Sequence, residues 1–331
     1  MSELLTVVAR EEFLAKDLAG QRLPRLHPNK RVVLEQACPP EAVLGGRLGF
    51  SAWEVGGLPG TLEVAAALEL ARPVPGFFDY VPVGGPGVVD WHLNFADPLL
   101  FTAFETALFA QDELQVAEHP VLGHLRETLR ARGLPHRTIV NGRPSPILVS
   151  GVERRCAVAL EPNAEEGRPQ GLYGNYFGAA SPEAIRRATR VLQPPTLTNL
   201  LAIAAPDSGH GFYGQDELRQ ILLTAFGGYG AAALESARLQ PGAGTLIHTG
   251  FWGCGAFGGN RLVMTILQLG AAALAGVRLV FHHGPPQGRQ TFDEARSLLH
   301  TLASQRPVLS SEEFLEWVTY QDFEWSQSDG N

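Results

Sequence analysis

The chain has 331 residues, 45% hydrophobic and 18% charged, with a formal charge of -8. That balance fits a globular protein with a sizeable core, and the negative charge argues against a broad basic face for duplex nucleic acid. Cys38, Cys156 and Cys254 lie far apart with no CxxC pair, a pattern of neither a disulfide framework nor a zinc site.

From the N-terminus, MSELLTVVAREEF carries acids where a signal peptide needs a basic n-region and an apolar core. The nearest approach to a membrane-spanning run, Leu262 to Leu274, is short and interrupted by glycine. A cytoplasmic protein without a membrane partner is therefore expected. Leu4 to Leu18 has apolar spacing compatible with a helix, as does Thr61 to Leu70, with proline- and glycine-rich coil between them. Residues 1–76 thus read as a mostly helical accessory region. VPVGGPGVVDWHLNFA reads as a turn and an apolar strand. Pro98 to Leu114 then offers Leu100, Phe104, Ala107, Leu108 and Phe109 at helical spacing.

Pro120 to Arg132 predicts a further helix, and Pro146 to Ser150 a short buried strand. Residues 161–181 form a polar loop with aromatic content, of the kind that often carries function. LTNLLAIAAPD predicts a strand, and Asp216 to Phe226 a helix with Leu218, Ile221 and Leu222 on one face. GTLIHTG, a glycine-rich loop, RLVMTILQLGAAALAG and VRLVF follow as strand, loop, helix and strand. Phe292 to Leu302 and Ser311 to Val318 close the chain as helices, before an acidic tail (321–331) expected to fray. Strands alternating with helices predict an α/β domain over residues 77–320, its sheet covered on both faces.

The loop holds five glycines between Gly250 and Gly259 and leads into a helix N-terminus. Free backbone N–H groups and the helix dipole favour an anion there, and glycine lets a diphosphate approach. Gly253, Gly255 and Gly258 also satisfy GxGxxG. A dinucleotide-binding unit needs an acid at the end of the next strand. Here VRLVF runs into His282, His283 and Gly284, with no carboxylate before Asp293. A nicotinamide-dependent oxidoreductase is disfavoured on that ground. A second feature is Gln111-Asp112-Glu113, beside an apolar face. Desolvation there raises a carboxyl pKa, as a general acid requires, and carboxylic acids are the groups that protonate glycosidic oxygens. Glu118-His119 lacks a second histidine at helical spacing, so no metal site is expected.

These two features together resemble the poly(ADP-ribose) glycohydrolase family. Its TGNWGCGAFGGD segment is similar to TGFWGCGAFGGN here, its VDFAN strand to Asn94-Phe95-Ala96-Asp97, and its QEE triplet to Gln111-Asp112-Glu113. ILVSGVE and GQDELRQILLTAFGGYG also resemble family segments, so the likeness runs over residues 88–284. The resemblance implies a macrodomain-like mixed sheet flanked by helices and an ADP-ribosyl glycohydrolase, with Glu113 as general acid beside Asp112. It further implies a ligand held by Gln111, Asp97, Gly253, Cys254, Gly255, Ala256, Phe257, Gly258 and Gly259, with Tyr176 as cover and His283 stacking or hydrogen-bonding. No cofactor is implied. The ligand would be ADP-ribose or an ADP-ribosylated macromolecule, with nucleic acid a partner only as such a substrate. Two departures stand out. The family's GGG diphosphate loop aligns with Phe101-Thr102-Ala103, whose side chains are expected to crowd a diphosphate. The Asn ending DFAN is Asp97, which adds negative charge. A non-catalytic ADP-ribose reader, or a structural protein with a relic pocket, is the alternative.

Overall fold

The computed structural model describes residues 3–207 and 209–330. Eight strands form one sheet: β1 (Leu5–Leu14), β2 (Arg47–Val55), β3 (Ala71–Val74), β4 (Val88–Phe95), β5 (Ile147–Val158), β6 (Thr189–Ile203), β7 (Gly244–Thr249) and β8 (Arg278–His282). Their spatial order is β1-β2-β5-β6-β4-β7-β8-β3. The first four of this order pair antiparallel. From β6 onward all pairs are parallel. The sheet is therefore mixed, as a macrodomain-like α/β fold requires.

The strand sequences explain the layering. In a strand, successive side chains face opposite sides. In β4, Trp91 and Leu93 enter one core, while Asp90, His92 and Asn94 turn to the other face, all five buried. The first core is closed by the long helices α4 (Gln215–Leu239), α5 (Arg261–Ala275) and α6 (Pro286–Gln305) together with α7 (Ser311–Thr319). On the opposite face, α1 (Pro28–Ala37), α2 (Gln111–Glu118) and α3 (Val121–Ala131) contribute to two smaller cores around Phe104, Leu122 and Leu125, and around Phe109 and Phe177.

The structure departs from the sequence expectations in five places. Leu4 to Leu18 is not a helix: Leu5–Leu14 is the edge strand of the sheet, paired antiparallel with β2, and only Ala15–Leu18 forms a turn of helix. Apolar residues spaced as Leu5, Phe13 and Leu18 satisfy a helical pattern and a half-exposed edge strand equally. Residues 1–76 are likewise built into the sheet through β1, β2 and β3 rather than laid against it, and the expected coil contains α1 and β2. Residues 98–110 are turns, and helix begins only at Gln111. Phe101 has φ 53°, which no right-handed helix accommodates.

The helix α4 also runs well past Phe226, through the pair Gly227-Gly228. A Cβ at Gly227 would lie 2.4 Å from Val55, so the glycines bring the helix axis close to the sheet. Finally, the acidic tail does not fray but is pinned. Trp325 stacks on Tyr213 at 4.3 Å, its backbone N–H donates to Gly211 O, and the Ser326 N–H donates to Gly258 O.

Candidate active site

β4 and β7 are adjacent and parallel, with His248 opposite His92, so their C-terminal ends open side by side. Open parallel sheets bind ligands at this edge, because the loops after neighbouring strands and the N-termini of following helices converge there. Both sequence features lie here: the glycine-rich loop follows β7, and α2 follows the loop after β4.

The glycine-rich loop is shaped largely by its own packing. Trp252 is fully buried and its indole N–H donates to Ile203 O at 3.1 Å, tying the loop to β6. Gly253 has φ 73°, and a Cβ there would meet the Cβ of Ala205 at 2.5 Å. Only glycine fits that position. Gln268, buried in α5, donates to the carbonyl of Gly250 at 3.0 Å and accepts from the hydroxyls of Thr249 and Tyr229. Asn260 caps α5, its side chain accepting from the Leu262 N–H. Cys254 behaves as a small filler: its thiol points at the Trp252 carbonyl, and burial raises its pKa, the opposite of a nucleophile's need. Gly255, Ala256 and Phe257 are partly or fully exposed, whereas Gly258 and Gly259 are buried. The tail crosses this loop, with the Asp329 N–H donating to Gly255 O.

The acid pair is held by a different logic. Gln111 is a clasp: its Oε1 accepts from the Phe95 N–H at 2.8 Å and its Nε2 donates to Leu93 O at 3.1 Å. The side chain expected among those that hold the ligand thus also tethers the end of β4. Asp112 is buried, accepts from Asn94 Nδ2 at 2.8 Å through Oδ1, and leaves Oδ2 without a hydrogen-bond partner. Burial, then the neighbouring charge of Glu113, holds Asp112 well above the usual carboxylate range. Glu113 is 3% exposed, and its Oε2 accepts from the Ala110 N–H at 2.9 Å, capping α2. Burial raises its pKa as well, opposed first by Lys30 and then by backbone N–H groups. The two carboxyls therefore share one low-dielectric corner and titrate as a pair. Asp97, half-buried, is raised by burial and by Asp207, and its charge is felt at both members of the pair.

Phe101, expected to crowd a ligand, does not face the site. Its left-handed φ of 53° turns the ring into the core, where it is 1% exposed. The backbone keeps a conformation that glycine adopts readily and a bulky residue adopts at a cost. Thr102 and Ala103 remain partly exposed.

Tyr176, expected as the cover residue, opens a short turn and is half exposed. Tyr173 lies closer to the acids: 39% of the residue stays exposed, but its phenol is raised by partial burial and then by the charges of Asp329 and Glu113, and it bonds the Gln111 backbone. The loop that carries Tyr173 is tied to the segment just before α2 by paired backbone bonds between Phe109 and Gly174. His283, at the end of β8, is 7% exposed and its backbone N–H donates to Val74 O.

Sequence reasoning missed Lys30, Asn94 and Tyr173. Asn94 could have been found by counting in twos along β4 from Asp90. Lys30 and Tyr173 carry no local signal. Among the described residues, no group of three or more His, Cys, Asp or Glu side chains is placed to hold a metal ion, and no helix is long and apolar enough to cross a membrane.

Residues 186–288 match the family model described as Poly (ADP-ribose) glycohydrolase (PARG), Macro domain fold. The segment includes the glycine-rich loop, and the match bears out the resemblance read there. No curated protein sequence matches the chain. Among solved structures, the chain is similar to the poly(ADP-ribose) glycohydrolase of Thermomonospora curvata at 17% identity and TM-score 0.42, covering 81% of this chain and 99% of that one. It is also similar to the Deinococcus radiodurans enzyme in complex with ADP-ribose, at 15% identity and TM-score 0.38, covering 86% and 97%.

Proposed function

Taking the chain as a divergent member of the poly(ADP-ribose) glycohydrolase family, we propose that it hydrolyses the ribosyl glycosidic bond of ADP-ribosyl adducts or polymers. The observation that carries this reading is the buried carboxyl pair at the end of β4, beside a glycine-rich helix entry at the end of β7. Glu113 gives its proton to the leaving atom as the bond to the ribose anomeric carbon breaks. Water then attacks the oxocarbenium-like centre, and its proton returns to the carboxylate. Asp112 holds the proton balance of the pair. The N–H groups of Gly253, Gly255, Ala256 and Phe257 take the diphosphate, those of Cys254, Gly258 and Gly259 being given to carbonyls of the loop itself, and the exposed edge of Phe257 lies along the ligand. Asp97, Tyr173, Tyr176 and His283 line its periphery.

A second reading, an ADP-ribose reader without turnover, draws on one observation: Glu113 already spends Oε2 on the Ala110 N–H. Calorimetry with ADP-ribose beside a release assay on ADP-ribosylated protein and polymer separates the two. Binding with release of ADP-ribose is expected. Binding without release favours the reader, and no binding sinks both.

A further inference from the structure

The segment Phe323–Gly330 runs along the glycine-rich loop and is anchored at the start of α5. The Tyr213 N–H donates to Phe323 O at 2.9 Å, and Asn260, the cap of α5, donates from Nδ2 to Glu324 O at 2.9 Å. Trp325 stacks on Tyr213, whose hydroxyl accepts from the Asn260 N–H at 2.8 Å. One small cluster thus fixes both the helix entry and the segment.

Beyond this anchor the chain passes over the loop itself. The Ser326 N–H donates to Gly258 O at 2.9 Å, and the Asp329 N–H reaches Gly255 O at 3.4 Å. A Cβ at Gly258 would lie 2.9 Å from Ser326 O and 3.3 Å from the Ser328 nitrogen, so this glycine makes room for the segment. The Asp329 carboxyl lies over Gly255, 3.4 Å from where a Cβ would stand. On the far side Asn175 Nδ2 donates to Gly330 O at 3.2 Å. The segment therefore bridges the glycine-rich loop and the loop that carries Tyr173 and Tyr176. The charge of Asp329 is felt at the Tyr173 phenol.

This carboxylate sits beside the N–H groups of Gly255, Ala256 and Phe257, which among the described residues donate to no backbone carbonyl. A diphosphate seated on them would meet a like charge at close range. The hold is also light. Residues 326–330 are all exposed, and backbone bonds open to water break locally at little cost. Such a strap can lift while the domain stays folded.

We propose that Phe323–Gly330 is an autoinhibitory strap: it lies over the diphosphate loop with the Asp329 carboxylate at Gly255, and an ADP-ribosyl ligand gains its full seat only when the strap lifts. The proposal rests on the ADP-ribose reading of that loop.

The experiment uses the full chain as wild type, Trp325→Ala and Asp329→Asn. Calorimetry with ADP-ribose should show affinity raised about threefold or more in both variants, because apparent affinity falls with the fraction of protein able to take the ligand. In wild type, NMR-detected hydrogen exchange at the Ser326 amide should quicken when ADP-ribose is added, since two occupants of one seat weaken each other mutually. Binding that is equal or weaker in both variants overturns the proposal and leaves the ADP-ribose reading standing. Exchange that ADP-ribose slows also overturns it, and makes the segment a lid that the ligand closes. If none of the three proteins binds ADP-ribose, the ADP-ribose reading falls and the strap's role falls with it.

Discussion

The glycine-rich loop and the acid corner sit at the ends of neighbouring strands, yet they are made in opposite ways. The loop is almost self-contained. Its turn at Gly253, its indole anchor at Trp252 and its latch from Gln268 come from one stretch of strand, loop and helix. The acid corner draws on separate segments: Asn94 from β4, Asp112 and Glu113 from α2, Tyr173 from a distant loop and Lys30 from α1. Steric demands act over a few residues and can be met locally. Buried charge acts through space and has to be balanced by whatever the fold brings near.

Substitutions can break or sharpen that contrast. The largest effect is expected at Glu113→Gln, which keeps the shape and the cap acceptor but removes the proton. Turnover in the release assay should fall about 100- to 10,000-fold while ADP-ribose binding by calorimetry persists. Surviving turnover would remove Glu113 from the acid role.

Next comes a pair of substitutions within the loop. Gly253→Ala combines a positive φ with a 2.5 Å clash against Ala205, and should cost about 2–4 kcal/mol in denaturant unfolding. Gly255→Ala meets only the Asp329 carboxyl, at 3.4 Å, and should change stability by less than about 0.5 kcal/mol. Equal costs at the two positions would end the claim that the loop is shaped locally by sterics.

A smaller effect, opposite in sign, is expected in the acid corner. The folded-state pKa of Asp112 is raised, so its bound proton stabilises the fold at low pH. That contribution is lost as pH rises through the folded-state value. Asp112→Asn, which can still accept from Asn94, should therefore be more stable than wild type near neutral pH, by about 1 kcal/mol. The gain should vanish below about pH 4, where the unfolded carboxyl is itself protonated. Thermal unfolding across pH checks it, and a gain independent of pH would refute the assignment. The smallest effect concerns the strap over the loop. Trp325→Ala removes the stack on Tyr213 and should cost about 1 kcal/mol or less, seen as faster proteolysis of the C-terminal segment with the global melting temperature nearly unchanged.

Much of this architecture was legible in the order of residues. Alternating strands and helices gave the α/β class, and the helices over 121–131, 261–275 and 311–319 lie close to where their apolar spacing predicts. The glycine-rich loop and the triplet Gln111-Asp112-Glu113 were legible as motifs, because each is short and its chemistry depends on its own neighbours, and the fold brings both to one edge of the sheet. The errors share a cause. Leu5–Leu14 reads equally as helix or edge strand, since only pairing with β2 decides which side chains are covered. Phe101 reads as an obstruction, but its backbone turns left-handed and hides the ring.

The sequence by itself thus determined the layer pattern, the glycine-rich loop and the two carboxyls, through periodicity and short-range sterics. The tertiary structure alone decided how deeply those carboxyls are buried, which tyrosine lies near them and where the acidic tail lies. Those choices depend on through-space charge and on burial, and distance along the chain encodes neither.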